Sequence, residues 1–324
     1  MRTNETLKKH FKNQKMMRTV LLSLFPIILF ATYLYGLRVL MLLITVTLSG
    51  TLAEYYWEKK HGNKASEAIF VTCVLYTLTM PVSIPLWIAV LGIIFGVFFG
   101  KLVFGGFGKN IFNPALVGRA FIYVNFPEPL TIAWNEIAFG IPGGFGTFIT
   151  NEIDVISKAT PMILFKNYNE TVDFQSLFFG LIPGSIGETC KVLIILAAIY
   201  LIYKKAASWQ IMAGSLIGFL ATSSILYAFT DLNVSSPIYG MMLGGFLFGT
   251  VFMATDPVSA AKTVPGKWIY GIIIGLVTVL IRALSLFNGG MMFAILIGNT
   301  FAPIIDYFVK ESKSRKKVKA EVTP

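Results

Sequence analysis

Charge is scarce in this chain: only 13% of its 324 residues are charged, about half the share of a soluble domain. Cysteine and histidine number two each. His10 and His61 lie in basic polar stretches, and Cys73 and Cys190 lie in or beside apolar runs. Neither cysteine has a second Cys or His at metal-ligand spacing, which leaves no zinc site, haem ligand pair, iron–sulfur centre or His-based triad to assemble. A nicotinamide-binding glycine fingerprint is also missing. The start does not read as a signal peptide. Its first apolar run, from about Val20, has no small-residue cleavage site after it, and another apolar run follows at once.

Apolar residues fill the space: 55% of the chain is hydrophobic, with 28 Phe and a mean hydropathy of +0.72. Long apolar runs in such a composition place the protein in a bilayer. Hydropathy predicts about ten spans, near 19–36, 38–57, 66–80, 85–106, 111–126, 187–203, 207–229, 238–255, 268–287 and 290–309. Several are short or rich in Gly and Pro and read as broken helices. The net charge of +11 would suit nucleic acid, but its location argues otherwise. Lys8, Lys9, Lys12, Lys15 and Arg18 precede the first span, and Lys310, Lys313, Arg315, Lys316, Lys317 and Lys319 follow the last. Basic residues flanking apolar helices read as cytoplasmic anchors. The loops agree, since Lys59, Lys60, Lys64, Lys109, Lys204, Lys205, Lys262 and Lys267 all fall on the same side. The acidic segment with Glu128, Glu136, Glu152, Asp154, Glu170 and Asp173 falls on the other.

A weak internal repeat runs through the chain. Thr79-Met80-Pro81-Val82-Ser83 is echoed by Thr255-Asp256-Pro257-Val258-Ser259, and Trp87-Ile88 by Trp268-Ile269. A five-span repeat is odd in number, so the second copy would enter the bilayer inverted, as in transport folds. The expected organisation is an all-α polytopic membrane protein. It has a cytoplasmic tail at 1–18, a first five-helix repeat at 19–126, an external loop at 127–186, a second repeat at 187–309 and a cytoplasmic tail at 310–324.

That loop carries Asp154-Val155-Ile156-Ser157-Lys158-Ala159-Thr160-Pro161. The stretch resembles the acceptor motif on which a flavin transferase esterifies FMN to a threonine; a solvated Ser/Thr turn before a proline reads the same way. Three further stretches extend the resemblance: Phe104-Gly105-Gly106-Phe107-Gly108-Lys109-Asn110-Ile111-Phe112-Asn113-Pro114-Ala115-Leu116-Val117-Gly118-Arg119; Gly180-Leu181-Ile182-Pro183-Gly184-Ser185-Ile186-Gly187-Glu188-Thr189; and Phe252-Met253-Ala254-Thr255-Asp256-Pro257-Val258-Ser259-Ala260-Ala261. Together they resemble the family that unites NqrB, of the sodium-pumping NADH:quinone oxidoreductase (Nqr), with RnfD, of the Rnf complex, from about residue 16 to 310.

The resemblance implies ten helices in two inverted halves, like urea-transporter-type channels. It also implies covalent FMN on Thr160, with Asp154, Ser157 and Ala159 completing the motif, and in the Nqr branch riboflavin and quinone. Lys158 stands where glycine is commonest. It costs the turn its easy access to positive φ and offers a cation near the FMN phosphate. The short N-terminal arm looks like the Rnf branch, whereas Gly290-Met291-Met292-Phe293-Ala294-Ile295-Leu296 looks like the Nqr branch.

Single residues have two readings each. Glu54, inside span two, falls on the family's cation path; the alternative is a helix-end Glu paired with Lys59. Asp306 matches a second acidic position of that path, or is solvated at the end of span ten. Asn113 and Arg119 flank Pro114, where Asn113 is a riboflavin contact or a helix cap. Asp256 has the same ambiguity. Gly50 lines the quinone pocket or merely packs. Pro142-Gly143-Gly144-Phe145-Gly146 lacks the ending of a phosphate loop and reads as a flexible loop. The expected function is a flavoprotein subunit of a redox-driven Na⁺ or H⁺ pump in a bacterial or archaeal cytoplasmic membrane, needing partner subunits and a flavin transferase. The rival is a redox-silent solute channel on the same scaffold.

Overall fold

Long apolar runs form helices because a helix satisfies its own backbone where water is absent. The computed structural model describes residues 11–12, 14–131, 134–135, 137–138, 140, 142–146, 160–285, 287 and 289–322. Its helices are α1 (Lys15–Tyr35), α2 (Arg38–Lys60), α3 (Ala68–Leu78), α4 (Leu86–Val97), α5 (Pro114–Asn125), α6 (Pro127–Thr131), α7 (Pro161–Tyr168), α8 (Phe174–Phe179), α9 (Lys191–Tyr203), α10 (Trp209–Phe229), α11 (Pro237–Met242), α12 (Phe246–Phe248), α13 (Val264–Leu284) and α14 (Met291–Val322). Wide π turns extend α4 over Phe98–Leu102 and α12 over Gly249–Met253. Five helices are long and apolar enough to cross a membrane among the described residues: α1, α2, α10, α13 and the first part of α14. Leu22, Phe25, Ile44, Leu48 and Leu52 are exposed on α1 and α2, as lipid-facing residues must be. The protein is a multi-pass membrane protein, helical but for one short strand pair among the described residues.

Expected spans three and eight are not continuous helices. The third shrinks to the 11 residues of α3, about 16 Å long, which falls short of a hydrocarbon core of about 30 Å. The eighth is interrupted between α11 and α12, where Gly244 adopts φ +57°. Breaks at this depth need internal hydrogen-bond partners, and an arginine serves each, Arg38 buried and Arg282 partly so. Arg38 Nε donates to the Val82 carbonyl at 2.7 Å and its Nη2 to Ile84 O at 3.1 Å. Arg282 donates to Gly240 O at 2.7 Å and Leu243 O at 3.0 Å. The chain after α3 also pairs with the segment before α9, through Gly187 N to Leu78 O and Ile186 N to Met80 O.

The described part of the expected tail is docked on the chain before α3, and one further expectation is corrected. Phe11–Lys12 (β1) pairs in parallel with Ala65–Ser66 (β2), Gln14 N donates to Glu67 Oε2, and Arg18 forms a 2.5 Å ion pair with Glu67. The hydrogen bond from Arg18 holds the Glu67 carboxyl below the usual carboxylate range. The Pro142–Gly146 run is a 3₁₀ turn packed on the end of α1, with buried Gly144 against the backbone of Thr32, Tyr33 and Gly36.

Helices α10 and α13 cross through glycines. A Cβ at Gly275 would strike Ser215 O and Phe219 N, and one at Gly218 would strike Ile272 O. Close backbone approach of this kind drives helix pairing in lipid, where apolar burial cannot. Gly275→Val is expected to force the helices apart at a cost of about 1–3 kcal/mol. It should lower the thermal unfolding midpoint of the purified protein, and an unchanged midpoint would contradict this packing.

Candidate functional site

Thr160 opens α7 as its N-cap. Pro161 follows at the first helical position, and Thr160 Oγ1 accepts from Ile163 N at 3.4 Å. Only 9% exposed, Thr160 lines a cavity of about 100 Å³ with Arg119, Ser185, Glu188 and Lys191. Those residues come from three places: Arg119 from α5, Ser185 and Glu188 from the irregular segment before α9, and Lys191 from the first residue of α9. Glu188 Oε1 accepts from Ser185 N at 3.2 Å, and Lys191 Nζ donates to the carbonyls of Glu188 and Thr189 at 2.6 and 3.1 Å. Arg119 Nε and Ser185 Oγ are buried without a partner among the described residues. Buried donors left unpaired are costly, and they point to a polar group that completes them. Segment α7 is pinned from below. Lys166 Nζ donates to Ser285 O at 2.6 Å, and burial pushes that ammonium group down from its ordinary pKa.

The other motif residues, Asp154, Ser157, Lys158 and Ala159, lie outside the described residues. Asn113, the N-cap of α5, and Arg119, within α5, line different cavities. Asn113 faces one of about 60 Å³ with Lys101, Asn110, Thr255 and Asp256. Asn113 is a helix cap: its Oδ1 accepts from Ala115 N at 3.1 Å, and its backbone N–H donates to Asn299 Oδ1 at 3.2 Å. Asn299 continues inward to Tyr270 Oη at 2.8 Å. Asp256 Oδ1 caps its own turn by accepting from Val258 N.

Glu54 is fully buried, and its partner is not Lys59 but Lys101, in the wide turn after α4. Lys101 Nζ lies 2.6 Å from Glu54 Oε2, while Ser66 N and Oγ both donate to Glu54 Oε1 at 2.8 Å. Lys59 instead sits over the Tyr55 ring. Asp306 is not solvated. At 8% exposed, it accepts from Lys262 N, Thr263 N and Thr263 Oγ1 and so fixes the start of α13. Gly50 packs, since a Cβ there would lie 2.6 Å from Cys73 Sγ and 3.0 Å from Ile93. Glu58, one turn beyond Glu54, explains Gly106 of the Phe-Gly-Gly motif: Gly106 has φ +87°, and a Cβ there would meet Glu58 Oε1. Sequence reasoning missed Lys101, Ser66 and Lys191 as functional candidates. A lysine inside the apolar run of α4 was the available signal, being as costly in a span as Glu54.

Comparison with known proteins places the chain in a family. The model of the NQR2, RnfD, RnfE family matches residues 2–315. The B-subunit of the Na(+)-translocating NADH-quinone reductase of Chromohalobacter salexigens is 39% identical over 306 residues, covering 90% of this chain and 71% of that protein. The Pseudoalteromonas atlantica protein of the same name is 40% identical over 299 residues, covering 89% and 71%. That of Klebsiella pneumoniae is 38% identical over 289 residues, covering 85% and 67%.

Proposed function

The chain belongs to the NQR2, RnfD, RnfE family, and from that membership we propose that it is the membrane-embedded flavoprotein subunit of an ion-translocating oxidoreductase of Nqr or Rnf type. The relatives' names carry the coarse part of this reading, an ion-translocating subunit that works with other subunits of a redox complex. The finer part is FMN esterified to Thr160. The observation that supports it is the convergence on one cavity of Thr160, cationic Arg119 and Lys191, and the unpartnered Arg119 Nε and Ser185 Oγ. A phosphoester at a helix N-cap lies among free backbone N–H groups and the positive end of the helix dipole. Arg119 and Lys191 add positive charge to the same cavity, and Ser185 adds a hydroxyl. Bound there, FMN would supply the reversible electron transfer that no side chain of this protein can perform. A riboflavin in the second cavity would meet Asn113 but not Arg119. Gly50 is packed against Cys73, so a quinone site beside it would have to form with partner subunits. The deciding measurement is denaturation-resistant flavin fluorescence, which a Thr160→Ala variant should lose.

In this reading the chain has ten spans in two inverted halves, with breaks in the third and eighth. Both termini are cytoplasmic and the α7 side is external. Charge asymmetry supports that orientation. Cys73 and Cys190 are buried, so single introduced cysteines report cleanly. Glu170→Cys should react with an impermeant thiol reagent in intact cells, and Ser314→Cys should not; both positions are exposed. The opposite labelling pattern would turn the topology over. Glu54 and Asp306 are assigned to a path for Na⁺ or H⁺.

A further inference from the structure

Neither Glu54 nor Lys101 lines the Thr160 cavity. Lys101 Nζ lies 2.6 Å from Glu54 Oε2 and 2.6 Å from Ser66 Oγ, and it sits 5.7 Å from the centroid of the Phe107 ring. The two side chains are 2% and 1% exposed. A buried ion pair rarely stabilises a fold more than apolar residues of the same size would. Its position suggests a use: the ammonium occupies a point where a carboxylate and a hydroxyl oxygen converge, and a small bare monovalent cation is satisfied by the same oxygens. Lys101 also lines the same cavity as Asp256. Its flexible four-carbon stem gives the charge a second carboxylate to turn to without entering lipid.

We propose that Lys101 is a tethered cation that holds the Glu54–Ser66 site until a sodium ion displaces it, the ammonium then moving toward Asp256. This rests on the reading of Glu54 as part of the cation path. Charge is conserved in the exchange: one monovalent cation enters as another leaves, and Glu54 is never buried without a counter-charge. The lysine also sets affinity. While it holds the site, the apparent affinity for sodium falls by the fraction of molecules in which the site is open.

Assembled complexes carrying the wild-type or the Lys101→Met chain are titrated with NaCl, ionic strength being held with choline chloride, and the thermal unfolding midpoint is followed. Lys101→Met should reach half its sodium-induced stabilisation at roughly tenfold less sodium than wild type. The double variant Glu54→Gln/Lys101→Met should show no sodium response. An unchanged or higher half-point in Lys101→Met, or a response that survives in the double variant, overturns the proposal. If Lys101→Met does not assemble, the wild-type complex decides. Pulse acetylation with acetic anhydride, read by mass spectrometry, should modify Lys101 severalfold more in sodium than in choline, and equal modification overturns the exchange. A Glu54→Gln complex with unaltered sodium dependence removes the cation-path reading itself. An altered Glu54→Gln beside an unchanged Lys101→Met removes only the exchange.

Discussion

Thr160→Ala is expected to abolish flavin fluorescence from the denatured protein in a gel under ultraviolet light. A phosphoester survives denaturation, whereas a flavin held by contacts alone does not. The variant needs a control, because Thr160 is also the N-cap of α7 and alanine there costs about 1 kcal/mol. Thr160→Asn keeps a capping oxygen but has no hydroxyl to esterify, so it separates loss of the acceptor from loss of the helix start. Ser157→Ala should retain some fluorescence. Thr160→Ala as bright as wild type, both co-expressed with a flavin transferase, would falsify the covalent assignment. A dark wild type under the same conditions would favour the channel alternative.

Glu54→Gln is expected to act on stability and on ion dependence together. The substitution keeps the shape of the side chain but leaves the Lys101 ammonium buried without its counter-charge, at a cost of about 3–5 kcal/mol. The thermal midpoint of the assembled complex should fall clearly. The sodium concentration for half-maximal turnover should rise roughly tenfold, the equivalent of about 1.4 kcal/mol of binding. Adding Lys101→Met should recover most of the stability, since a buried pair can be replaced by uncharged residues at little net cost. The double variant should show no sodium-induced stabilisation. Wild-type stability in Glu54→Gln would contradict the ion pair, and a normal sodium requirement in the assembled variant would remove Glu54 from the path.

The sequence made some elements readable and hid others for a physical reason. Helices α1, α2, α10, α13 and α14 were legible because each combines an apolar run with an unbroken backbone. Hydropathy counts side chains and does not see the backbone. The run 238–255 therefore looked like one span, although Gly244 at φ +57° divides it and Arg282 takes up the freed carbonyls. Glu54 stood out as a lone acid in an apolar run, but its nearest lysine in the sequence was the wrong partner, and the true one, Lys101, is 47 residues away. Asp306 kept a solvated reading beside its cation-path one because it lies near the end of the apolar run, and nothing local reveals that Thr263 folds back onto it. Thr160 was singled out by its motif, while Ser185 and Lys191, which share its cavity, belong to a different stretch of chain.

The wide turn at Phe98–Leu102 has a consequence for how this gene can vary. Val103 N donates to Phe98 O, five residues back, where a regular helix reaches four. Such a turn holds one residue more than its neighbours, and each residue rotates a helix by about 100°. Loss of a single codon between Phe98 and Gly100 would therefore swing Lys101 away from Glu54, although no residue of the pair had been altered. The exposed Phe99 can exchange for other apolar residues with little effect. In this stretch drift in spelling is tolerated and drift in length is not, so in-frame deletions here should be purged more strictly than most missense changes.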